Sequence, residues 1–250
     1  MSDHTPCHTD RRRADSFGEA ADAYDRFRPR YPQSLITELV TRVGIRTLDV
    51  GAGTGIASVQ LAGAGAEVLA VEPDPRMAAV AAGKGVCVEQ ATFEDWAPDG
   101  RQFDLVVFGQ SFHWVEPRQA LPKVATILSA GGRLALLWNR ITPTSPSRAE
   151  LDEIYAGYLD ASQRPTVDAG RNVAVAALIE ECGFGIEHRN RIEQLHYSTD
   201  DWLDMVFTYS NVLTLTPTAR SELRARLEKH IGDGGVDAEN SAIALICTPH

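Results

Sequence analysis

The chain has 250 residues, of which 44% are hydrophobic and 23% charged, and its formal net charge is −10. This composition is that of a globular protein large enough to bury a substantial core. The negative charge disfavours a nucleic-acid partner, because neutralisation of the phosphate backbone by basic residues supplies most non-specific affinity for nucleic acids.

The sequence contains no apolar stretch near the ~18 residues that span a bilayer, and its N-terminus lacks the apolar core of a signal peptide. Its four cysteines, Cys7, Cys87, Cys182 and Cys247, are scattered and form no CxxC pair. That pattern is typical of a reduced intracellular protein without a disulfide framework or a zinc site. We therefore predict a cytoplasmic protein with no metal and no membrane segment, and a flexible polar tail over residues 1–15.

Apolar residues recur at helical spacing over 34–43, directly after Pro32, and predict the first long helix. Short apolar runs then alternate with helical segments. The predicted strands are 47–50, 67–71, 86–88, 104–108 and 134–138, and the predicted intervening helices are 56–62, 74–82 and 117–128. Strands separated by helices of about ten residues predict βαβ units and a parallel sheet.

The pattern loosens after Trp138. We predict a turn-rich connector at 141–148, helices at 149–161, 172–182, 199–213 and 217–231, and strands at 184–195 and 242–247. The simplest organisation is one domain over residues 16–250, with N-terminal lid helices (16–44) and a C-terminal helical insertion (199–231) before the final strand.

The most informative segment is LDVGAGTG (48–55), at the junction of the first strand and its helix. Glycines there let the backbone turn tightly and let a ligand approach the main chain. The following helix presents unpaired N–H groups. A strand, a glycine loop and a helix in this order predict a nucleotide site at the carboxyl edge of the sheet.

Glu72 ends the second strand, 17 residues after Gly55, where a carboxylate can accept both hydroxyls of a ribose. The dinucleotide fingerprint G-x-G-x-x-G is not matched, because Ile56 stands where the third glycine should be and the glycines run G-x-G-x-G. The loop therefore favours a nucleotide other than a dinucleotide.

At these residues the chain resembles the class I S-adenosylmethionine (SAM)-dependent methyltransferases of the type 11 group. LDVGAGTG resembles their first motif, VEPD (71–74) their second, ATFEDW (91–96) the loop beside adenine, and FDLVVFGQSFHWVE (103–116) with GGRLAL (131–136) the fourth and fifth strands. YDRFRPRYPQSL (24–35), HW (113–114), WN (138–139) and TYSNVL (208–213) resemble the subgroup typified by trans-aconitate methyltransferase. Residues 16–140 match that subgroup well, and the C-terminal third matches it only loosely. The substrate of the subgroup is therefore not assigned to this chain.

The resemblance implies an α/β fold: a Rossmann-like, seven-stranded, mostly parallel sheet with flanking helices and an antiparallel last strand. It implies SAM as cofactor and S-adenosylhomocysteine as product. The implied cofactor-binding residues are Tyr24, Arg28, Asp49, Gly51, Ala52, Gly53, Thr54, Gly55, Glu72, Pro73, Thr92, Phe93 and Gln110. Gly51 to Gly53 would line the methionine half, Glu72 the ribose, Thr92 and Phe93 the adenine, and Gln110 the sulfonium end.

The candidate substrate-binding residues are Arg28, Tyr31, His113, Trp114 and Trp138. Four residues of the N-terminal segment either form a lid, with an arginine binding a substrate carboxylate, or pack the N-terminal helix and pair with acidic residues: Tyr24, Arg28, Arg30 and Tyr31. His113 is the candidate catalytic base, since its ordinary pKa lies near neutrality, or a structural residue at a strand end. Trp114 is either a pocket wall or core residue, or a surface on which the substrate stacks.

We hypothesise that the chain transfers a methyl group from SAM by in-line displacement to a small-molecule acceptor, and a carboxylic acid is the acceptor that the subgroup suggests. Two alternatives are a SAM-binding protein without catalytic activity and an NAD-dependent oxidoreductase. The sequence indicates no oligomeric state.

Overall fold

A computed structural model describes residues 21–160 and 169–250. Seven strands in this part of the chain form one sheet in the order β3-β2-β1-β4-β5-β7-β6. The strands are β1 (Arg46–Val50), β2 (Glu67–Val71), β3 (Cys87–Glu89), β4 (Phe103–Gly109), β5 (Leu128–Ser145), β6 (Phe184–Tyr197) and β7 (Val236–Pro249).

Strands β1 to β5 pair in parallel, and β7 lies antiparallel between β5 and β6. β1 lies between β2 and β4, and each of its residues from Thr47 to Val50 is buried, as a parallel strand covered on both faces requires. The predicted mostly parallel, seven-stranded α/β sheet with an antiparallel last strand is confirmed.

Ten α-helices lie in the described ranges. They are α1 (Ala21–Phe27), α2 (Gln33–Leu39), α3 (Ile56–Gly63), α4 (Pro75–Gly83), α5 (Pro117–Ile127), α6 (Arg148–Tyr155), α7 (Ala169–Glu181), α8 (Thr199–Val206), α9 (Ser210–Leu213) and α10 (Pro217–Ile231). Asp74 caps α4 as predicted, because its carboxylate accepts hydrogen bonds from the backbone N–H groups of Arg76 and Met77.

The two faces of the sheet carry separate apolar clusters. Leu35 of α2 and Leu61 of α3 pack with Leu105 and Val107 on one face. On the opposite face, a second cluster joins buried residues of α5 and α7 to alternate residues of the strands; its members include Leu121, Val124, Ile179, Val106, Phe108 and Leu136. This three-layer packing fixes the carboxyl edge of the sheet, where β1, β2 and β4 end.

A third apolar cluster covers that edge. β5 runs eight residues past Leu137, which is the partner of the last residue of β4, and β7 pairs with this extension as far as Ser145. The extension and helices α6, α8 and α10 enclose the cluster, whose buried members include Ile154, Trp202, Leu203, Leu223, Leu227 and Val236. Phe27 of α1 packs against it, so the C-terminal helices and α1 meet above the strand ends.

Several predicted boundaries are wrong. The predicted connector at 141–148 belongs to β5 as far as Ser145, and the last strand is 236–249 rather than 242–247. Pairing between β5 and β7 overrides the turn preference of the Thr, Ser and Pro residues there, with a register shift beside Pro143. The predicted helix over 199–213 is interrupted after Val206, and the predicted helix over 149–161 ends at Tyr155.

The predicted tail at residues 1–15 lies outside the described residues, as does the start of the predicted lid. Among the helices that are described, none combines the length and the apolar character needed to cross a membrane.

Candidate active site

The glycine loop lies at the carboxyl end of β1, directly beside the end of β2. The backbone N–H groups of Gly51 and Ala52 both donate to the carbonyl oxygen of Val71, at 2.8 and 3.2 Å, and Gly55 N donates to Ala52 O at 2.9 Å. The loop therefore leaves β1 while bonded to the neighbouring strand, and it leads through Thr54 into α3.

Two glycines of the loop are required for different reasons. Gly51 has φ +64°, and a Cβ added there would lie 2.7 Å from the Cβ of Ser111, so the fold has no room for a side chain. Gly53 has φ +58°, but no atom lies within 4 Å of the position its Cβ would take. Gly53 therefore borders open space, as the wall of a ligand site does.

Glu72 lies against the glycine loop. Its Oε2 accepts a hydrogen bond from Gly53 N at 2.8 Å, and its Oε1 accepts one from Asp74 N at 2.9 Å. Burial raises the pKa of Glu72 to about 7, although both N–H groups favour the ionised form. The carboxylate predicted to bind a ribose is thus held beside the loop predicted to bind the rest of the nucleotide.

Asp49 is a second buried acid in the same region. It is fully buried in β1, and Ser58 Oγ donates to its Oδ2 at 2.6 Å. Its Oδ1 has no hydrogen-bond partner in the described part of the chain, and burial raises its pKa to about 6. Within residues 21–160 and 169–250, neither Asp49 nor Glu72 forms an ion pair with a basic side chain, so the site suits a cationic ligand.

These two acids should make the ligand-free protein less stable as the pH rises from about 5 to 7.5. Both bind a proton more tightly in the folded than in the unfolded state, so each ionisation favours unfolding. We expect the urea midpoint of the wild type to fall by the equivalent of a few kcal/mol relative to an Asp49→Asn/Glu72→Gln variant across this interval. A difference that stays constant with pH would show that neither pKa is raised.

The end of β4 places three candidate residues, Gln110, His113 and Trp114, at the same edge. Gln110 has φ +60°; its backbone N–H donates to Leu137 O at 2.9 Å and its side-chain amide to Asn139 O at 3.0 Å. Phe112 is buried in the core and anchors a short 3₁₀ turn, Phe112–Trp114. The rings of His113 and Trp114, whose centroids are 4.7 Å apart, are half-buried beyond that anchor.

The loop after β3 has an unexpected anchor. Phe93 is buried and packs edge-on against Phe108, so its ring belongs to the core, while Thr92 Oγ1 donates to Asp95 at 2.8 Å. The ammonium of Lys123 donates to the carbonyl oxygens of three residues in this loop, Phe93, Glu94 and Trp96. Our sequence reasoning missed Lys123, and no motif marks it.

Pro73 lies at the other side of this region, where its carbonyl oxygen accepts a hydrogen bond from Gln90 Nε2 at 3.5 Å.

Arg28 links the N-terminal segment to the C-terminal helices. Its Nε donates to Thr208 Oγ1 at 2.9 Å and its Nη2 to Thr208 O at 3.1 Å. Its guanidinium lies 4.7 Å from the ring centroid of Tyr24 and 4.1 Å from that of Tyr209. No acidic residue in the described part of the chain pairs with Arg28, and its Nη1 has no protein partner there, so it retains donors for an anion.

Tyr31 and Trp138 are less available to a substrate. Tyr31 is buried in the apolar cluster of α2 and α3, and burial raises its pKa well above the ordinary value. Trp138 packs, partly buried, against the opposite cluster. Tyr31 lies near Gly109, where an added Cβ would come within 3.1 Å of its hydroxyl, so it forms the floor beneath the end of β4.

Solved structures with this fold include several methyltransferases. A methyltransferase structure from Anaeromyxobacter dehalogenans is 22% identical with a TM-score of 0.64, and the match covers 89% of this chain and 98% of that one. A SAM-dependent methyltransferase from Geobacter sulfurreducens, determined in complex with S-adenosyl-L-homocysteine, is 13% identical with a TM-score of 0.53, covering 94% and 98%. The fold is therefore that of the class I SAM-dependent methyltransferases, as predicted.

Sequence comparison gives the family. The methyltransferase domain family matches residues 48–136. An uncharacterized methyltransferase of Mycobacterium tuberculosis is 34% identical over 233 residues, which are 92% of this chain and 91% of the relative. An uncharacterized methyltransferase-like protein of Schizosaccharomyces pombe is 30% identical over 143 residues, 54% of this chain and 56% of the relative. The chain belongs to the SAM-dependent methyltransferase family, and this membership argues against the oxidoreductase alternative.

Proposed function

We propose that this enzyme transfers a methyl group from SAM to the carboxylate of a small organic acid. The observation that carries the cofactor assignment is the hydrogen bond between Gly53 and Glu72, which joins the glycine loop to the acid predicted to bind ribose. The acceptor assignment depends on Arg28.

The residues present fit SAM. The open space at Gly53 accommodates a ligand against the loop, and each Glu72 oxygen that accepts one backbone N–H retains a lone pair for a ribose hydroxyl. SAM carries an ammonium and a sulfonium, and the buried acids Asp49 and Glu72 have no protein cation to neutralise them in the described ranges. SAM affinity should accordingly increase with the ionisation of both acids, that is, from about pH 5 to 8.

When bound, SAM would supply a methyl group that its positively charged sulfur activates. In-line displacement by the acceptor would release the rest of the cofactor as S-adenosylhomocysteine. The chain's own contribution is alignment of the two reactants and exclusion of water, and alignment alone can lower a barrier by about 7–11 kcal/mol. The C-terminal helices and α1, which meet above the strand ends, provide the covering.

Arg28 supports an anionic acceptor. Two tyrosine rings and Thr208 hold its guanidinium in one orientation, so little side-chain freedom is lost when a ligand binds. An arginine without an acidic partner among the described residues can receive a carboxylate through two parallel hydrogen bonds. A carboxylate nucleophile is already deprotonated near neutral pH and needs no general base.

Arg28→Gln should raise the KM for the carboxylate acceptor about 10–100-fold while kcat changes little. One charge-assisted hydrogen bond contributes about 1.5–3 kcal/mol, and a loss of uniform binding appears in KM. Steady-state kinetics of the variant measure this effect. Arg26→Gln is the matched control, because Arg26 is an exposed arginine two residues before Arg28, in α1, and lies against Phe27. Equal effects of the two substitutions would contradict the role of Arg28.

His113→Ala should leave kcat for a carboxylate acceptor within about threefold of the wild type, because that reaction requires no proton transfer. If the physiological acceptor is instead a hydroxyl or an ammonium, His113 is the candidate base, and general base catalysis typically contributes about 10²–10⁴-fold. The kcat of His113→Ala with acids and with alcohols of matched shape therefore identifies the acceptor class.

Methyl-labelled SAM incubated with a panel of small mono- and dicarboxylic acids tests the proposal directly. We expect the label in a methyl ester. Mild alkali hydrolyses such an ester and releases the label as methanol. Alkali-stable label would indicate methylation at another oxygen, at nitrogen or at carbon. Binding of S-adenosylhomocysteine without transfer to any acceptor in the panel or in a metabolite extract would favour the non-catalytic SAM-binding protein.

A further inference from the structure

The segment Pro29–Tyr31, between α1 and α2, has no regular secondary structure, and its backbone is held by side-chain amides. Gln60, on α3, accepts a hydrogen bond from Tyr31 N at 2.9 Å and donates one to Tyr31 O at 2.7 Å. This reciprocal pair replaces the backbone partner that a strand would supply.

Asn139, on β5, holds the same segment from the other side. Its Nδ2 donates to Pro29 O at 3.2 Å and to Arg30 O at 3.1 Å. Its Oδ1 accepts from the side chain of Asn240, a fully buried residue of β7. Because both carbonyls require a donor, the orientation of the Asn139 amide is determined.

The same asparagine is linked to the active-site edge, since its backbone carbonyl accepts the hydrogen bond from the side chain of Gln110. Gln60, for its part, lies one turn into the helix that follows the glycine loop. The two amides therefore connect the N-terminal segment to both candidate halves of the site, the end of β4 and the loop after β1.

Helix α1 depends on these contacts for its position. The structure describes seven residues of this helix, and among them Ala21 is buried. Its other contacts include the Arg28–Thr208 hydrogen bonds, a 2.6 Å ion pair between Asp25 and Lys84, and the packing of Phe27. Because tertiary contacts supply most of a helix's stability, these contacts set its orientation.

We propose that Gln60 and Asn139 are positioning residues of the acceptor site: together they clamp Pro29–Tyr31 and so place Arg28 over the strand ends. This inference deepens the proposed function and rests on its assignment of Arg28 to the acceptor. The clamp acts through Arg28 and does not itself contact a ligand.

Two isosteric variants test the clamp. Asn139→Asp keeps the acceptor for Asn240 and removes the donors to Pro29 and Arg30. Gln60→Glu keeps the acceptor for Tyr31 N and removes the donor to Tyr31 O. The matched controls are Asn190→Asp and Gln33→Glu, whose parent side chains are exposed and bond only to Ser241 and Thr37 among described residues.

The first measurement is amide hydrogen exchange of the full chain with S-adenosylhomocysteine present. In either clamp variant we expect exchange over residues 22–31 to become about tenfold faster, with β1 and β4 unchanged and both controls like the wild type. Unchanged exchange over 22–31, or an increase spread evenly over the whole protein, would overturn the proposal. Binding of S-adenosylhomocysteine by the wild type reports separately on the proposed function.

The second measurement is a double-mutant cycle with the acceptor. Asn139→Asp should raise the acceptor KM about tenfold and leave kcat within about threefold of the wild type. Arg28→Gln should raise the acceptor KM much less in the Asn139→Asp background than in the wild type, because both changes remove the same interaction. Fully additive effects would show that Asn139 is merely structural. If Asn139→Asp does not fold, the cycle is run with Gln60→Glu, which approaches the segment from the other side.

Discussion

Replacing Glu72 with glutamine should lower the affinity for S-adenosylhomocysteine by roughly 100-fold or more while the protein remains folded. A ribose bound through both hydroxyls would lose two charge-assisted hydrogen bonds, each contributing at least about 1.5 kcal/mol. The free energy of unfolding near neutral pH should stay the same or increase, because burial disfavours the ionised carboxyl, as its pKa of about 7 indicates.

Calorimetric titration with S-adenosylhomocysteine measures this effect, and thermal unfolding of the ligand-free proteins measures stability. Glu67→Gln is the control, because Glu67 is an exposed acid at the other end of the same strand. An affinity for Glu72→Gln within threefold of the wild type would mean that the ribose is bound elsewhere.

Alanine at Gly53 should lower cofactor affinity about 10–100-fold at a modest cost in stability. An alanine at φ +58° costs about 1–2 kcal/mol in the folded state, since its Cβ crowds the backbone. That Cβ would project into the open space assigned to the ligand, and an extra carbon in a well-packed site costs about 1–3 kcal/mol.

Gly85→Ala separates the two effects. Gly85 also has a positive φ, +84°, and open space around its missing Cβ, but it lies in the exposed turn after α4. Both variants should lose similar stability in urea denaturation, and only Gly53→Ala should lose affinity in calorimetry. Equal affinities of the two variants would place the ligand away from Gly53.

The alternation of strands and helices up to Trp138 could be predicted because buried parallel strands are continuous apolar runs and the helices between them carry clear start and stop residues. The cofactor half of the candidate site follows from the same pattern. Gly53 and Glu72 lie just after the ends of two neighbouring parallel strands, and such strands end at one edge of the sheet.

The acceptor half could not be predicted in this way, because its contacts join residues far apart in sequence. Arg28 meets Thr208 across 180 residues, and Asn139 meets Pro29 across 110. The long extension of β5 has the same origin, since β7 supplies backbone partners to residues whose local preference is for turns. Such pairings are determined by tertiary packing and leave no periodic signal in the chain.

The two buried acids show how stability and binding oppose each other at this site. Burying Asp49 and Glu72 without a basic partner among the described residues destabilises the ligand-free fold at neutral pH. A cationic ligand offsets that cost when it binds. Replacing both acids by amides should therefore favour folding and disfavour binding.

A crystal structure of the protein with S-adenosylhomocysteine would show the cofactor contacts themselves. We expect both ribose hydroxyl oxygens within about 3 Å of the Glu72 carboxylate, a hydrogen-bonding distance, with the amino-acid part of the ligand against Gly51 to Gly53. A ligand bound elsewhere, or a ribose that does not contact Glu72, would contradict this expectation.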